Sequence, residues 1–357
     1  MNKIFKIVLL LCFSFLSVYK TSNASNEKIK IGLLIPLTGD DKLLGKLLIQ
    51  STQIALEDIG SDEVEIYPRD TASNPKKTLA SAIELRELGV QIVIGPIFYK
   101  NLVHLNELQN MTFLSLTNKT LNLPNNVIST GVNATSQLNT IKKFIEDNEI
   151  KKTILLTPNI DYEVEIKKAL RESKIKIFKH YIYDTEPTKL TAQIEKITNY
   201  KIRKQNLADE IKRVEESDLA DKEKQLEKLE KKYTIGNVNF DSVIISDFSE
   251  SLKSVITSLL YTDVSPKEKY IITFNQWFDE SLFKEKAIQP ISYPSISNKN
   301  LINFEKKFFK EFKEKPNHLS LLSYDLVGLI YFLSLNNEIT DFNKIFKRKN
   351  SFKGKIG

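Results

Sequence analysis

Short apolar runs alternate with amphipathic helical patterns along the chain from Ile29 onwards. The apolar runs have the length of buried strands and are followed by turn residues. The predicted strands cover residues 29–37, 64–70, 90–95, 112–117, 127–130, 153–157, 175–183, 241–246 and 270–274. Such alternation is typical of a parallel sheet with helices on both faces.

Between the strands, apolar residues recur at helical spacing. Leu44, Leu48 and Ala55 share one face of the helix predicted after the first strand. Asn74 and Pro75 supply an N-cap and a first-turn proline for the next helix. The series of strands and helices then begins again in the middle of the chain. We therefore predict an α/β protein of two lobes, each a parallel sheet flanked by helices.

Residues 201–232 interrupt this rhythm, because almost all of them are Lys, Glu, Asp, Arg or Gln. The sparse apolar positions fall at spacings of three, four and seven, which suits either one long helix or a helical hairpin with a thin apolar seam. These positions are Leu207, Ile211, Val214, Leu219, Leu226 and Leu229. The segment is predicted to be a charged helical insertion in lobe two. It is either a solvated helix packed on that lobe or an arm that docks a partner.

The first 24 residues have the order of a secretory signal peptide: a short basic start, an apolar run, and small residues before Ser25. The apolar run is shorter than the roughly 20 residues of a membrane span, so we expect cleavage and no remaining span. Cys12 lies inside this run with Leu9 to Leu11 before it, which argues against a lipoprotein signal. The predicted location is the periplasm.

Composition excludes several classes of function. Cys12 is the only cysteine, so the mature chain has no disulfide, cysteine metal site or thiol nucleophile. Removing the signal segment lowers the net charge from +7 to +4, because that segment holds three lysines and no acidic residue. Lysines and glutamates alternate without forming a basic stripe, so nucleic acid is not an expected partner.

Sequence motifs for catalysis are absent. The glycines nearest to a phosphate loop, Gly39 and Gly45, have five residues between them instead of four. No dinucleotide-binding glycine pattern or serine elbow occurs. His104, His180 and His318 are far apart in sequence, without a second ligand at metal-binding spacing. The sequence therefore predicts no cofactor, no metal site and no enzyme.

Candidate binding residues follow the predicted strands, since ligands of parallel α/β sheets bind beyond the carboxyl ends of the strands. In lobe one they are Thr38, Gly39, Gly95, Pro96, Phe98, Ser115, Thr117 and Asn118. Gly95 permits close backbone approach, and Pro96 is predicted to begin a helix whose amides would face a ligand. Tyr162 and Trp277 are the candidates in lobe two. Turn formation alone, or core packing for Trp277, is the alternative interpretation.

Several of these residues lie in motifs that resemble the type I periplasmic binding proteins, which include the leucine/isoleucine/valine receptors. The similar stretches are Ile31 to Gly39, Asp70 with Asn74-Pro75, Ile92 to Pro96, and Ser323 to Ile330. The resemblance spans nearly the whole mature chain. It implies a two-lobed fold with a binding cleft between the lobes.

Within that superfamily, three stretches resemble the penicillin-binding protein activator branch more than the amino-acid receptors. They are Gly95 to Phe98, Phe113 to Asn118 and Phe274 to Asp279. The charged insertion is also similar to that branch. Amino-acid receptors place hydroxyl residues after Gly-Pro, whereas this chain has Phe98, Tyr99 and Lys100 there.

The resemblance also implies a crossed chain path. Lobe one is expected at residues 28–132 plus 291–337, and lobe two at residues 133–290 plus 338–357. Gly131 is the expected hinge residue, because glycine tolerates unusual dihedral angles. Family members usually continue with more strand after the last residues seen here, so we expect Gly357 to be a point of truncation.

Two functions are consistent with these observations. The favoured one is a regulator that docks on a peptidoglycan synthase (a penicillin-binding protein). The alternative is an ABC transporter substrate-binding protein that delivers an amino acid or other small polar solute to its permease.

Overall fold

The computed structural model describes residues 28–275, 281–296, 298–336 and 354 of the chain. Its first half contains a parallel five-stranded sheet in the order β2-β1-β3-β4-β5. The strands are β1 (Ile29–Ile35), β2 (Val64–Asp70), β3 (Ile92–Ile94), β4 (Thr112–Ser115) and β5 (Val127–Ser129). Helices α1 (Lys42–Ile59) and α2 (Pro75–Glu87) connect the first three strands. The Asn74 side chain caps α2 by accepting from the Lys77 amide, as the sequence predicts.

A second parallel five-stranded sheet has the order β10-β9-β8-β6-β7. Its strands are β6 (Thr153–Pro158), β7 (Lys179–Tyr183), β8 (Ser242–Ile245), β9 (Tyr270–Thr273) and β10 (Ile291–Ser292). Its helices are α3 (Ala134–Asp147), α4 (Tyr162–Ser173), α5 (Pro187–Ile197), α6 (Tyr200–Glu215), α7 (Lys222–Glu230), α8 (Ser249–Tyr261) and α9 (Ser281–Lys284). The two sheets with their helices confirm the predicted two-lobed α/β fold.

Most strands differ from the predicted bounds by one or two residues at an end, and two differences are larger. Strand β7 begins at Lys179 and not at residue 175, because Ile175 and Ile177 pack into the core beneath α4. Strand β10 was not predicted; Ile291 and Ser292 pair with β9 in the second sheet. Ile291 and Ser292 are therefore part of the second sheet.

Helices α10 (Asn298–Phe312) and α11 (His318–Asn336) complete the core of the first sheet. Phe308, Val327 and Ile330 are fully buried there, in the cluster that contains Ile31 and Leu48. We call the first sheet with α1, α2, α10 and α11 lobe one, and the second sheet with α3 to α9 lobe two.

One helix in the described part of the chain, at His318–Leu335, is long and apolar enough to cross a membrane by length and composition. It belongs to α11, whose buried side chains pack against α1 and β1 in lobe one. This packing explains the apolar composition of α11 as that of a core helix.

The charged insertion forms the helical hairpin α6–α7, which confirms one of the two predicted forms. Leu207, Val214 and Leu229 are buried in a small cluster of the hairpin itself. Leu219 was expected in that seam but is 42% exposed, because it lies in the turn between the helices.

A buried arginine attaches the base of the hairpin to lobe two. The Arg203 guanidinium is 7% exposed and donates to the carbonyls of Gly236 (2.9 Å) and Thr262 (2.9 Å) and to Thr234 Oγ1 (2.7 Å). A weaker bond reaches the Asp263 carbonyl at 3.3 Å. The hairpin is thus fixed at its base, and its apolar seam is separate from the main core of the lobe.

Candidate functional site

Two neighbouring cavities lie where the lobes meet. The first, of about 260 Å³, is lined by residues that follow β3 and β4 of lobe one and by Phe248 of lobe two. The second, of about 520 Å³, lies between the start of α3, the segment 294–296 and α11. Both cavities are lined by Val132, Gln137, Asn275 and His318. These four residues therefore form the boundary between the two chambers.

Three of the predicted site residues line the first cavity: Phe98, Thr117 and Asn118. The other described candidates in lobe one are Thr38, Gly39, Gly95, Pro96 and Ser115. They contribute to the loops around the strand ends and are not among the residues that line either cavity. Trp277 lies outside the described residues.

The Gly95–Pro96 peptide bond is cis, and Gly95 has a φ of +104°. A Cβ on Gly95 would lie 2.2 Å from the Leu34 carbonyl oxygen, so only glycine fits between β1 and this turn. The prediction that a helix begins at Pro96 is wrong. The chain instead makes a short 3-10 turn at Tyr99–Leu102, and its first amides are not the N-terminus of a regular helix.

The hydroxyl groups at the end of β4 are engaged inside lobe one. Ser115 is fully buried, and its Oγ donates to the Pro96 carbonyl at 2.7 Å. Thr117 Oγ1 accepts from the Lys119 amide at 3.3 Å. Ser129 and Thr130 on the neighbouring strand end donate to the carbonyls of Thr117 (2.6 Å) and Ser115 (2.9 Å). These contacts fix the cavity wall.

The loop after β1 is held in the same way by Asp70 at the end of β2. Its carboxylate accepts from the Leu37 amide (2.8 Å), from the Thr38 amide (3.2 Å) and from Thr38 Oγ1 (2.6 Å). It also accepts from the Ala72 amide and Lys77 Nζ. Partial burial acts to raise the pKa of Asp70, but the hydrogen bonds from Lys77 and Thr38 outweigh it and hold the pKa well below its ordinary value.

Tyr162, the candidate from lobe two, is part of an aromatic cluster. Its ring centroid lies 5.9 Å from that of Phe248 and 6.5 Å from that of Phe274. Burial raises the pKa of Tyr162 above its ordinary value. Phe248 lines the first cavity, so Tyr162 supports this wall from behind.

Hydrogen bonds join the segments that cross between the lobes. The Asn275 amide donates to Gln137 Oε1 at 2.7 Å, and Asn275 Nδ2 donates to the Pro294 carbonyl at 3.1 Å. Gly131 lies in the crossing after β5, but its φ is not in the left-handed region. The expected reason for glycine there was wrong: a Cβ would lie 2.4 Å from the Thr117 carbonyl oxygen, so close approach requires glycine.

Sequence reasoning missed most of the lining that comes from distant segments. Tyr99 and Lys119 line the first cavity, with Lys119 Nζ 4.9 Å from the Tyr99 ring centroid. Gln137 was not among the predicted site residues, and Asn275 was named only within the stretch Phe274 to Asp279 that resembles the activator branch. His318 lines both chambers, and burial lowers its pKa below the ordinary histidine value. The adjacent aromatic residues Phe98 and Tyr99 were the feature of the sequence that could have indicated an aromatic wall in the first cavity.

The first cavity combines amide, hydroxyl and aromatic groups with one lysine, and none of its described lining residues is acidic. In the described part of the chain, no group of three His, Cys, Asp or Glu side chains is placed to hold a metal ion. The arrangement offers hydrogen bonds and ring faces for binding.

Comparison with known proteins extends these observations. The family model for periplasmic binding proteins matches residues 28–202. Among the curated proteins, the search found no match.

Three solved structures have similar folds. A putative branched-chain amino acid ABC transporter protein of Rhodospirillum rubrum is 11% identical, with a TM-score of 0.64, over 92% of this chain and 91% of that one. A branched-chain amino acid ABC transporter periplasmic ligand-binding protein of Burkholderia xenovorans is 13% identical, with a TM-score of 0.59, over 92% and 84% of the two chains. The C-domain of LpoA from Haemophilus influenzae, a regulator of PBP1A, is 16% identical, with a TM-score of 0.57, over 92% and 91%.

Proposed function

From the match of residues 28–202 to the family model for periplasmic binding proteins and from the two-sheet fold, we propose that this chain is a member of the type I periplasmic binding protein superfamily. We further propose that it is a non-catalytic periplasmic regulator that docks on a peptidoglycan synthase. In this proposal the lobes provide the surface that contacts the partner protein, and the side chains between the lobes mainly stabilise the fold. We infer from the sequence that residues 1–24 are a signal peptide cleaved before Ser25, which exports the chain to the compartment of the synthase's periplasmic domains.

The proposal rests mainly on the hydrogen bonds that the hydroxyl groups at the strand ends of lobe one make within the protein. A solute receptor needs donors and acceptors that point into its cleft and are available to the ligand. Here Thr38 Oγ1 donates to Asp70, and Ser115 Oγ donates to the Pro96 carbonyl. Neither Thr38 nor Ser115 lines a cavity between the lobes. The side chains best suited to hold a polar solute stabilise the protein's own loops.

Two further features support regulation over transport. The stretch after Gly95-Pro96 carries the aromatic residues Phe98 and Tyr99, which narrow the first cavity. The α6–α7 hairpin projects from lobe two with its own small core and a solvated charged surface. A surface of this kind is available to a partner without any change in the lobes.

Binding to a synthase is the decisive experiment. Mature protein from Ser25 onwards would be passed over an immobilised periplasmic domain of a class A penicillin-binding protein from the same cell. We expect specific retention that survives moderate salt, and stimulation of glycan-strand cross-linking in a reaction with lipid II. Absence of both effects would contradict the proposal. N-terminal sequencing of protein purified from the periplasm would test cleavage before Ser25.

The second candidate is a substrate-binding protein of an ABC transporter. The two cavities of about 260 and 520 Å³ favour it, because together they have room for an amino acid or a larger polar solute. Thr117, Asn118, Gln137 and His318 would then provide the polar contacts.

A thermal-shift screen separates the two candidates. A receptor gains about 2.7 kcal/mol of stability with ligand at a hundred times its dissociation constant. Amino acids, peptides and muropeptides would each be tested on the mature protein. A regulator that acts by docking should show no such shift, whereas a clear shift with one solute and no retention on the synthase would establish the receptor.

A further inference from the structure

A buried carboxylate of lobe two receives three hydrogen bonds from lobe one. Glu165 lies on α4 and is 7% exposed. Its carboxylate accepts from the Thr120 amide at 3.1 Å, from Thr120 Oγ1 at 2.7 Å and from the Leu121 amide at 3.1 Å. Thr120 and Leu121 belong to the segment between β4 and β5 of lobe one.

A second side chain of α4 completes this contact. Lys168 is one helical turn from Glu165, and its Nζ donates to the Thr120 carbonyl at 2.9 Å. The amide, hydroxyl and carbonyl of Thr120 are therefore all bonded to the same helix of the other lobe. Hydrogen bonds to ionised groups are stronger than those between neutral groups. These charge-assisted hydrogen bonds therefore stabilise the contact between the two lobes.

The bonded segment continues directly from the wall of the first cavity. Asn118 and Lys119 line that cavity, and Thr120 follows them. Lys119 Nζ lies over the Tyr99 ring, and Tyr99 OH donates to the Asn122 carbonyl at 3.4 Å. The segment is thus held from one side by the aromatic wall of lobe one and from the other by α4. A displacement of the cavity wall would be transmitted to the contact between the lobes.

We propose that Glu165 and Lys168 form a latch on Thr120 that holds the two lobes in their present arrangement, here termed closed, and couples the first cavity to the angle between the lobes. Separation of the lobes requires all four hydrogen bonds to break together. The crossing segments near Asn275 serve as the hinge, and the latch provides a second connection away from it. The latch would act in the same way whether the protein serves a synthase or a permease.

The test measures the distance between the lobes. The mature chain has no cysteine, so Lys76→Cys on α2 and Lys176→Cys before β7 introduce a unique pair of spin-label sites. Both lysines are exposed, one on each lobe. Double electron–electron resonance then gives the distance distribution for the otherwise wild-type chain and for the latch variants.

Glu165→Gln keeps the shape of the side chain but removes its charge and one acceptor. We expect a longer distance to appear, with the ratio of open to closed molecules raised by about tenfold or more. Glu163→Gln is the matched control: it lies on the same helix, and its ion pair is with Lys167 of α4 itself. The control should retain the wild-type distribution.

Thr120→Val tests the same contact from lobe one, because it removes only the hydroxyl donor. A smaller shift in the same direction is expected. Circular dichroism melts of each variant establish that it is folded, and Thr120→Val decides the question if Glu165→Gln does not fold. Distance distributions for the folded latch variants that match wild type would overturn the proposal. The assay contains no synthase and no solute, so its outcome is separate from that of the proposed function.

Discussion

The two lobes have the same strand order but complete their cores differently. Numbered from its own first strand, each sheet has the order 2-1-3-4-5. In lobe one, α10 and α11 come from the far end of the described chain and pack on a sheet formed by residues 29–129. In lobe two, the hairpin α6–α7 is an insertion between β7 and β8 with its own apolar cluster.

The comparison distinguishes helices that complete the core of a lobe from helices that pack in a separate cluster and are not needed for that core. Phe308 and Val327 bury their side chains in the same cluster as strand β1, so lobe one lacks a complete core without them. The hairpin's Leu207, Val214 and Leu229 form a cluster apart from that of the lobe-two sheet. Burial against a shared core, and not helix length, determines how much the fold depends on each segment.

The largest effect is expected from Phe308→Ala in α10. Phe308 is fully buried against Phe304 and Phe312, with ring centroids 5.8 and 5.1 Å away. Its truncation should lower the free energy of unfolding by about 3–5 kcal/mol. Phe309→Ala on the same helix is the control, because Phe309 is 53% exposed; its effect should stay within about 0.5 kcal/mol. Urea denaturation of both variants measures the difference, and equal effects would contradict the role of α10 in the core.

An intermediate effect is expected from Asp70→Asn, which weakens the connection between the ends of β1 and β2. The variant loses the Lys77 ion pair and one acceptor for Thr38. We expect a loss of about 2 kcal/mol at neutral pH.

The pH dependence of that loss provides a sharper test. The pKa of Asp70 is lower in the folded chain than in the unfolded chain, where aspartate titrates near about 3.9. Its stabilising contribution is therefore complete above that pH and is lost progressively as the pH falls below it. Asparagine does not titrate, so the wild-type and variant stabilities should converge in acid. A difference that remained constant from pH 7 to pH 3 would contradict this origin.

The smallest effect is expected when residues 205–231 are deleted. The remaining ends are already adjacent, because the Ile235 amide donates to the Arg203 carbonyl at 3.0 Å. Arg203 and its bonds to Gly236, Thr234 and Thr262 are also kept. The deletion should yield soluble protein with a free energy of unfolding within about 1 kcal/mol of wild type. Insoluble protein, or loss of cooperative unfolding, would show that lobe two needs the hairpin.

Local pattern was sufficient where one segment decides its own structure. Short apolar runs and helical repeats predicted nine of the ten described strands, the helix capped by Asn74, and an insertion able to form a hairpin. Local pattern was insufficient for β10, because a strand of only two residues, Ile291 and Ser292, has no detectable periodicity. This strand is defined by its pairing with β9. Pro96 was read as a helix start, although the chain there follows the close contact between Gly95 and Leu34.

For the candidate site, local sequence pattern was enough to identify the strand ends of lobe one as candidates. Phe98, Thr117 and Asn118 could be predicted because the carboxyl ends of parallel strands meet at one edge. Local pattern could not predict that Asp70 and Pro96 bind the hydroxyl groups of Thr38 and Ser115. Nor could it predict that His318 lines the cavity or that Glu165 accepts from Thr120. Strand and helix formation depend on neighbours a few residues away. These hydrogen bonds instead join groups from 19 residues apart (Ser115 and Pro96) to 45 residues apart (Thr120 and Glu165), and only packing brings them within hydrogen-bonding distance.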